Sequence, residues 1–183
     1  MFEVRIHGRG GQGSVIASKI LAVALFAEGK YVQAFPKFGV ERRGAPVEAY
    51  LRFDEEKIYL RNEITSPDIV VVLDASLGAV VDITSGLKKN NTILINTSKD
   101  PSEIDGLSDF KVACVDASRI AVEYGLGSKS APIVNTAICG AFAKATGCVT
   151  LDSVKNAVME EIQIKPENNA KACEDAFCSV VVH

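Results

Sequence analysis

The sequence predicts an α/β fold: a three-layer α/β/α domain on a central sheet that is mostly parallel and mixed in part. Three observations carry this expectation. Strand-like and helix-like segments alternate along the chain, which favours right-handed crossovers and a parallel sheet. The run Asp68-Ile69-Val70-Val71-Val72-Leu73-Asp74 is apolar without alternation, the pattern of a strand covered on both faces. A glycine-rich stretch, Gly8-Arg9-Gly10-Gly11-Gln12-Gly13, separates an alternating segment from a helically spaced one, which reads as strand, turn and helix.

In chain order, Phe2 to His7 alternates as a strand, and Ser14 to Ala27 carries apolar residues at helical spacing with Gly29 as its stop. Tyr31 to Phe35 is a second strand leading into the loop Pro36 to Pro46. Val47 to Phe53 and Lys57 to Arg61, separated by Asp54-Glu55-Glu56, are expected to pair as a hairpin and make the sheet mixed. Thr92 to Asn96 and Lys111 to Val115 repeat the buried-strand type of 68–74, each spaced from the next by a helix-length segment, so helices are expected on both faces. Helices dominate from Val134 onward. Asn135 to Ala145 is one, Leu151 to Ile162 has Thr150 as its N-cap, and Pro166 suits the first turn of a last helix reaching about Val181.

The chain has 183 residues. An average domain has ~150, so one domain spanning 1–183 is expected, and nothing in the sequence reads as a linker or repeat. Hydrophobic residues make up 48% and charged residues 23%, with a mean hydropathy of +0.17, which excludes a disordered chain and a disulfide-stapled miniprotein. Twenty Lys plus Arg against 23 Asp plus Glu give a net charge of −3, so no global field draws the chain to nucleic acid or to a membrane. Any anion site must be local. No basic, apolar leader and no run long enough to span a bilayer is visible, so a cytoplasmic protein is expected. Five cysteines without a CxxC pair and only two histidines argue against a zinc or iron–sulfur site held by this chain alone, and Cys139 and Cys148 are expected to act as small buried hydrophobes.

Gly10, Gly11, Gln12 and Gly13 are the candidate anion cradle: glycines let the backbone turn so that its N–H groups, backed by a helix dipole, face a phosphate. Gln33, Ala34 and Phe35 stand where a dinucleotide site places an acidic residue, which disfavours NAD. Ser14-Val15 follows Gly13 where a Walker-type loop has Lys and Ser/Thr, which disfavours nucleotide hydrolysis. The next strand-end loop concentrates Lys37, Arg42 and Arg43. Ligands of open α/β sheets bind outside the carboxyl ends of the strands, so Arg42 and Arg43 are expected to converge with the glycine loop on one anion. Asp74 and Asp116 are read as helix N-caps, His7 as a packed strand-end residue, and no catalytic residue is assigned.

The blocks Ile6 to Gly13, Gln33 to Pro46, Asp68 to Asp74 and Asn135 to Ala141 together resemble the gamma subunit of 2-oxoacid:ferredoxin oxidoreductases, the pyruvate/2-ketoisovalerate synthase group, in order over nearly the whole chain. The resemblance implies a subunit of an enzyme that decarboxylates 2-oxoacids oxidatively to acyl-CoA and CO2, or runs the reverse. It implies coenzyme A as substrate, with thiamine diphosphate and [4Fe–4S] clusters on partner subunits and none of them bound by this chain alone. The implied partners are alpha, beta and ferredoxin-like delta subunits, and ferredoxin. Thiamine-binding subunits of the group carry Gly-Asp-Gly followed by Asn-Asn; this chain has Asn90-Asn91 and Asn168-Asn169 but no Gly-Asp-Gly. In fused members the equivalent domain helps hold coenzyme A through paired lysines, where this chain has Glu41-Arg42 or Arg42-Arg43. The rival reading is a stand-alone nucleotide- or anion-binding regulatory module.

Overall fold

The structure, a computed structural model, describes residues 1–37 and 44–183. It is α/β with three layers on a mixed sheet of seven strands. In chain order these are β1 (Phe2–Arg9), β2 (Tyr31–Pro36), β3 (Pro46–Asp54), β4 (Ile69–Val72), β5 (Thr92–Asn96), β6 (Lys111–Val115) and, counting a separate two-stranded ribbon β7 (Gly127–Ser128) and β8 (Ala131–Pro132), β9 (Val181–Val182). The sheet order is β2-β3-β1-β4-β5-β6-β9. Parallel pairing joins β1, β4, β5 and β6, while β3 lies antiparallel to both β1 and β2. β2 therefore points with β1, and the sheet is mostly parallel in direction.

The helices are α1 (Ser14–Ala27), α2 (Ala117–Glu123), α3 (Asn135–Thr146), α4 (Leu151–Glu161) and α5 (Pro166–Ser179). Apolar side chains of all five pack with Val4, Ile6, Val71, Leu94 and Ala113 in one large core. The alternate strand residues Val70, Val72, Ile93, Ile95 and Val112 face the other way and meet Leu87 and Leu107 in a smaller one. Because both sets are apolar, β4 loses its alternation, as the run 68–74 predicts. The covering layer on that second face corrects the expectation of full helices there. The connections after β4 and β5 hold only short 3₁₀ turns, Ala75–Ala79 and Pro101–Glu103, capped by Asp74 and Asp100. Gly86 explains part of this: its φ is +76° and a Cβ there would stand 2.0 Å from the Thr65 carbonyl oxygen, so the chain is held in a tight turn where a helix would need to continue.

Two further expectations are corrected. Lys57 to Arg61 forms no strand, because both edges of β3 are already taken by β2 and β1. Instead the segment lies over the polar side of that sheet corner, where Arg52 Nη2 donates to the Asn62 carbonyl at 2.7 Å and Gln33 Nε2 to that of Ile58 at 3.3 Å. The last helix ends at Ser179, and the chain turns extended to add β9 antiparallel to β6. Thr150 caps α4 as expected, its hydroxyl accepting from the Ser153 amide. Among the described residues, no helix is long and apolar enough to cross a membrane.

Candidate functional site

The glycine loop leaves β1 at the carboxyl edge of the sheet, and the two cradle residues at alternate positions are already spoken for. The Gly10 amide donates to the Ala45 carbonyl at 2.9 Å and the Gly44 amide returns a bond to the Gly10 carbonyl at 3.0 Å. The Gln12 amide closes a turn on the Arg9 carbonyl at 2.9 Å. Gly10 and Gln12 thus shape the loop, and the expected role of their amides as anion donors does not fit these bonds. What opens outward is the start of α1. Gly13 sits there at φ +86°, no side chain caps the helix, and its first amides have no acceptor among the described residues.

The bonds from Gly44 and Ala45 also bring the end of the loop 36–46 against the glycine loop, so the two strand-end loops meet as expected. Arg42 and Arg43 themselves lie outside the described residues. A residue missed in the sequence holds this junction together. Arg9 donates to Asp74 Oδ2 at 2.9 Å, to the Gly44 carbonyl at 3.1 Å and to Ser76 Oγ at 2.8 Å. Gln12 Nε2 reaches the same carboxylate at 3.2 Å, and Gln12 Oε1 accepts from the Arg9 amide at 2.8 Å. Asp74 is therefore the expected cap, accepting from the Ser76 amide at 3.0 Å, and also the clamp of the glycine loop. Burial raises its pKa, but the bonds from Ser76, Arg9 and Gln12 outweigh that and hold it below the usual carboxylate range. The adjoining cleft, of about 450 Å3, is lined by Asp74, Asp116, Ser76, Ser118 and Asn96. Asp116 is the cap expected of it, accepting from the Arg119 amide at 2.8 Å.

His7 is packed, as expected. Its Nε2 accepts from Arg5 Nε at 3.0 Å, and Glu48 Oε1 lies 4.0 Å from its Nδ1. Burial, then the Arg5 guanidinium, push its pKa from 6.5 down to about 4 against the pull of Glu48. It is neutral at pH 7. Between these two pKa values the unfolded chain binds a proton that the folded chain refuses, so stability falls as the pH falls. Denaturant unfolding followed by circular dichroism should lose about 2 kcal/mol between about pH 7.5 and about pH 5. A flat profile over that range would contradict the buried, neutral His7. Glu48, held by Tyr50 at 2.8 Å and Lys37 at 3.3 Å, has a lowered pKa and stays ionised throughout that window. Cys139 is fully buried with its thiol pushed well up by burial, whereas Cys148 is only half-buried. Among the described residues no three His, Cys, Asp or Glu side chains are grouped to hold a metal ion.

A family model described as "Pyruvate ferredoxin/flavodoxin oxidoreductase" matches residues 3–178. The chain belongs to that family. Among its relatives, the pyruvate/ketoisovalerate oxidoreductases common subunit gamma of Thermococcus kodakarensis is 54% identical over 187 residues, covering 100% of this chain and 99% of the relative. The pyruvate synthase subunit PorC of Methanocaldococcus jannaschii is 51% identical over 178 residues, covering 97% and 96%. The crystal structure of the pyruvate oxidoreductase subunit PORC of Thermotoga maritima superposes with a TM-score of 0.83 at 34% identity, covering 99% of this chain and 97% of that one. The resemblance to the gamma-subunit group of this family is borne out.

Proposed function

We propose that the chain is the gamma subunit of a multi-subunit 2-oxoacid:ferredoxin oxidoreductase and that its glycine loop and basic loop hold the phosphate end of coenzyme A. The enzyme takes a 2-oxoacid and coenzyme A to acyl-CoA and CO2, passing electrons to ferredoxin, or runs the reverse. The reading is supported by family membership over almost the whole chain and by relatives named as gamma subunits. The observation that carries the coenzyme A assignment is the uncapped start of α1, preceded by a glycine loop that backbone bonds at Gly10 join to the end of the loop containing Arg42 and Arg43. A helix N-terminus offers N–H groups and a favourable dipole, and arginines add charge-assisted bonds to phosphate oxygens.

The described residues of this chain present no grouped ligand set for the other groups of the reaction. No three metal-ligating side chains are grouped among the described residues, and the sequence lacks the Gly-Asp-Gly of thiamine-binding subunits. Thiamine diphosphate and [4Fe–4S] clusters are accordingly assigned to the alpha, beta and ferredoxin-like delta partners. Affinity purification of the tagged chain from its own host tests the assignment. It should bring down a subunit carrying thiamine diphosphate and an iron–sulfur protein in fixed proportion, and the preparation should reduce ferredoxin with a 2-oxoacid. A chain that elutes alone would favour a stand-alone anion-binding module.

A further inference from the structure

We propose that a second copy of this chain docks on the open edge of β2, so that two sheets continue into one across a two-fold axis at Gln33.

The sheet ends in β2 on one side and in β9 on the other. β9 has two residues, too few to template a strand, whereas β2 has six, Tyr31–Pro36, none of them charged. An uncharged edge of that length is a pairing surface, and among the described residues no strand covers its outer side. The backbone groups it offers follow from its register on β3. The Lys37 amide donates to the Glu48 carbonyl at 2.9 Å, and Phe35, Gln33 and Tyr31 stand opposite Tyr50, Arg52 and Asp54. Backbone groups alternate sides along a strand, so these odd-numbered residues bond to β3, while Val32, Ala34 and Pro36 turn theirs outward. Pro36 has no N–H, and the Lys30 amide is taken by the Leu25 carbonyl at 3.1 Å. The outward donors are therefore those of Val32 and Ala34, placed evenly about Gln33.

That spacing is self-complementary. With two copies antiparallel about Gln33, the Val32 amide meets the Ala34 carbonyl of the second copy and the Ala34 amide of that copy meets the Val32 carbonyl. The same exchange repeats across the axis. Side chains favour this register over its neighbours. It sets Tyr31 against Phe35 of the second copy, an aromatic cross-strand pair, whereas an axis at Val32 or Ala34 would set Phe35 against Gly29 or Gln33. The Phe35 ring is already held, 5.3 Å from that of Tyr50 and 5.4 Å from the Arg52 guanidinium. Charge does not oppose the pairing, because the flanking lysines are neutralised within their own chain, Lys30 by Glu55 and Lys37 by Glu48 at 3.3 Å. A strand edge alone buries less than a stable dimer requires. More contact comes from the segment 57–61, which Gln33 Nε2 holds beside the axis through the Ile58 carbonyl. Tyr59, Leu60 and Tyr31 there are 78%, 45% and 50% exposed, the side-chain types that interfaces cover.

Sedimentation of the full-length chain from about 1 to about 500 μM should show a monomer–dimer equilibrium. Ala34→Pro removes an outward donor without touching the β3 ladder. It should raise the dimer dissociation constant at least about tenfold and leave the melting temperature of the monomer near the wild-type value. A disulfide trap fixes the register and does not depend on that variant folding. Residues facing each other in a pair without mutual hydrogen bonds have Cα atoms about 4.5 Å apart, within disulfide reach, while diagonal neighbours lie about 7–8 Å apart. In a Cys178→Ser background, which removes the exposed thiol, mild oxidation should therefore link two copies through Gln33→Cys and far less through Ala34→Cys. A chain that stays monomeric throughout that range would overturn the proposal, and slowed hydrogen exchange at Val32 and Ala34 only on adding other subunits would then give the edge to a partner's strand. A dimer that withstands Ala34→Pro and is not trapped through Gln33→Cys would place the contact on another face. Trapping through Ala34→Cys instead of Gln33→Cys would overturn the two-fold at Gln33.

Discussion

Gly140→Ala is expected to destabilise the chain by about 3 kcal/mol or more, a large effect for a single added methyl group. Gly140 lies within α3, where helix propensity alone favours alanine by roughly 1 kcal/mol. Packing outweighs that preference. A Cβ at Gly140 would stand 1.9 Å from the Cys173 carbonyl oxygen and 2.9 Å from its Sγ, on the neighbouring α5. A backbone atom cannot rotate away, so α3 and α5 must separate, and with them the core around Phe142, Ala172 and Cys173, all fully buried. In a chain of this size the loss corresponds to a melting temperature lower by about 6–12 °C. Gly78→Ala is the control: its nearest neighbour would be Ile83 Cδ1 at 3.7 Å, an ordinary contact, and stability should change by about 0.5 kcal/mol or less. If the Gly140 variant melts like the wild type, α3 and α5 do not approach as closely as described.

The largest functional effect is expected from Arg42→Ala combined with Arg43→Ala in the assembled enzyme. A helix dipole contact is worth about 0.3–1 kcal/mol when exposed, and a hydrogen bond to a charged group about 1.5–3. Two of the four candidate cradle residues spend their amides inside the loop, so under the proposed reading the arginines carry much of the affinity. Removing both should cost about 2–4 kcal/mol. At ~1.4 kcal/mol per decade, that raises the half-saturating coenzyme A concentration on the order of 10- to 1,000-fold. Steady-state titration of coenzyme A at saturating 2-oxoacid measures it, and a shift of less than about threefold would remove the arginines from the site.

The parts of the fold legible in the sequence are those set by local pattern. The unbroken apolar run through β4 announces two covered faces, Thr150 announces the start of α4, and the glycine loop announces a strand-to-helix turn. What stayed hidden depends on which edges and surfaces other segments had already taken. Lys57 to Arg61 has strand-like composition, but β3 had no free edge to offer it. The helix-length segments after β4 and β5 were long enough for helices, yet Asx turns such as that from the Thr84 amide to Asp82 Oδ1, and glycines such as Gly86, break them into 3₁₀ turns. At the candidate site, the strand-to-helix turn was readable and the fate of its amides was not. Gly10 is bonded to Ala45, Arg9 and Gln12 to Asp74, and Gly13 faces Asn135, all partners far along the chain. Asp74 was visible as a cap because capping is local; its second role as clamp is a tertiary fact.

A subunit that serves coenzyme A leaves the decarboxylation of the 2-oxoacid to its partners, and rapid mixing separates the two steps. The assembled enzyme carrying Arg42→Ala and Arg43→Ala is mixed with 2-oxoacid in the absence of coenzyme A, then with it, while the iron–sulfur absorbance of the complex is followed. Reduction without coenzyme A should proceed at nearly the wild-type rate, and the acceleration on adding coenzyme A should require far higher concentrations than in the wild type. A variant complex that keeps the wild-type response to coenzyme A but loses the first reduction, or that fails to assemble, would contradict the coenzyme A assignment and make the basic loop a subunit contact.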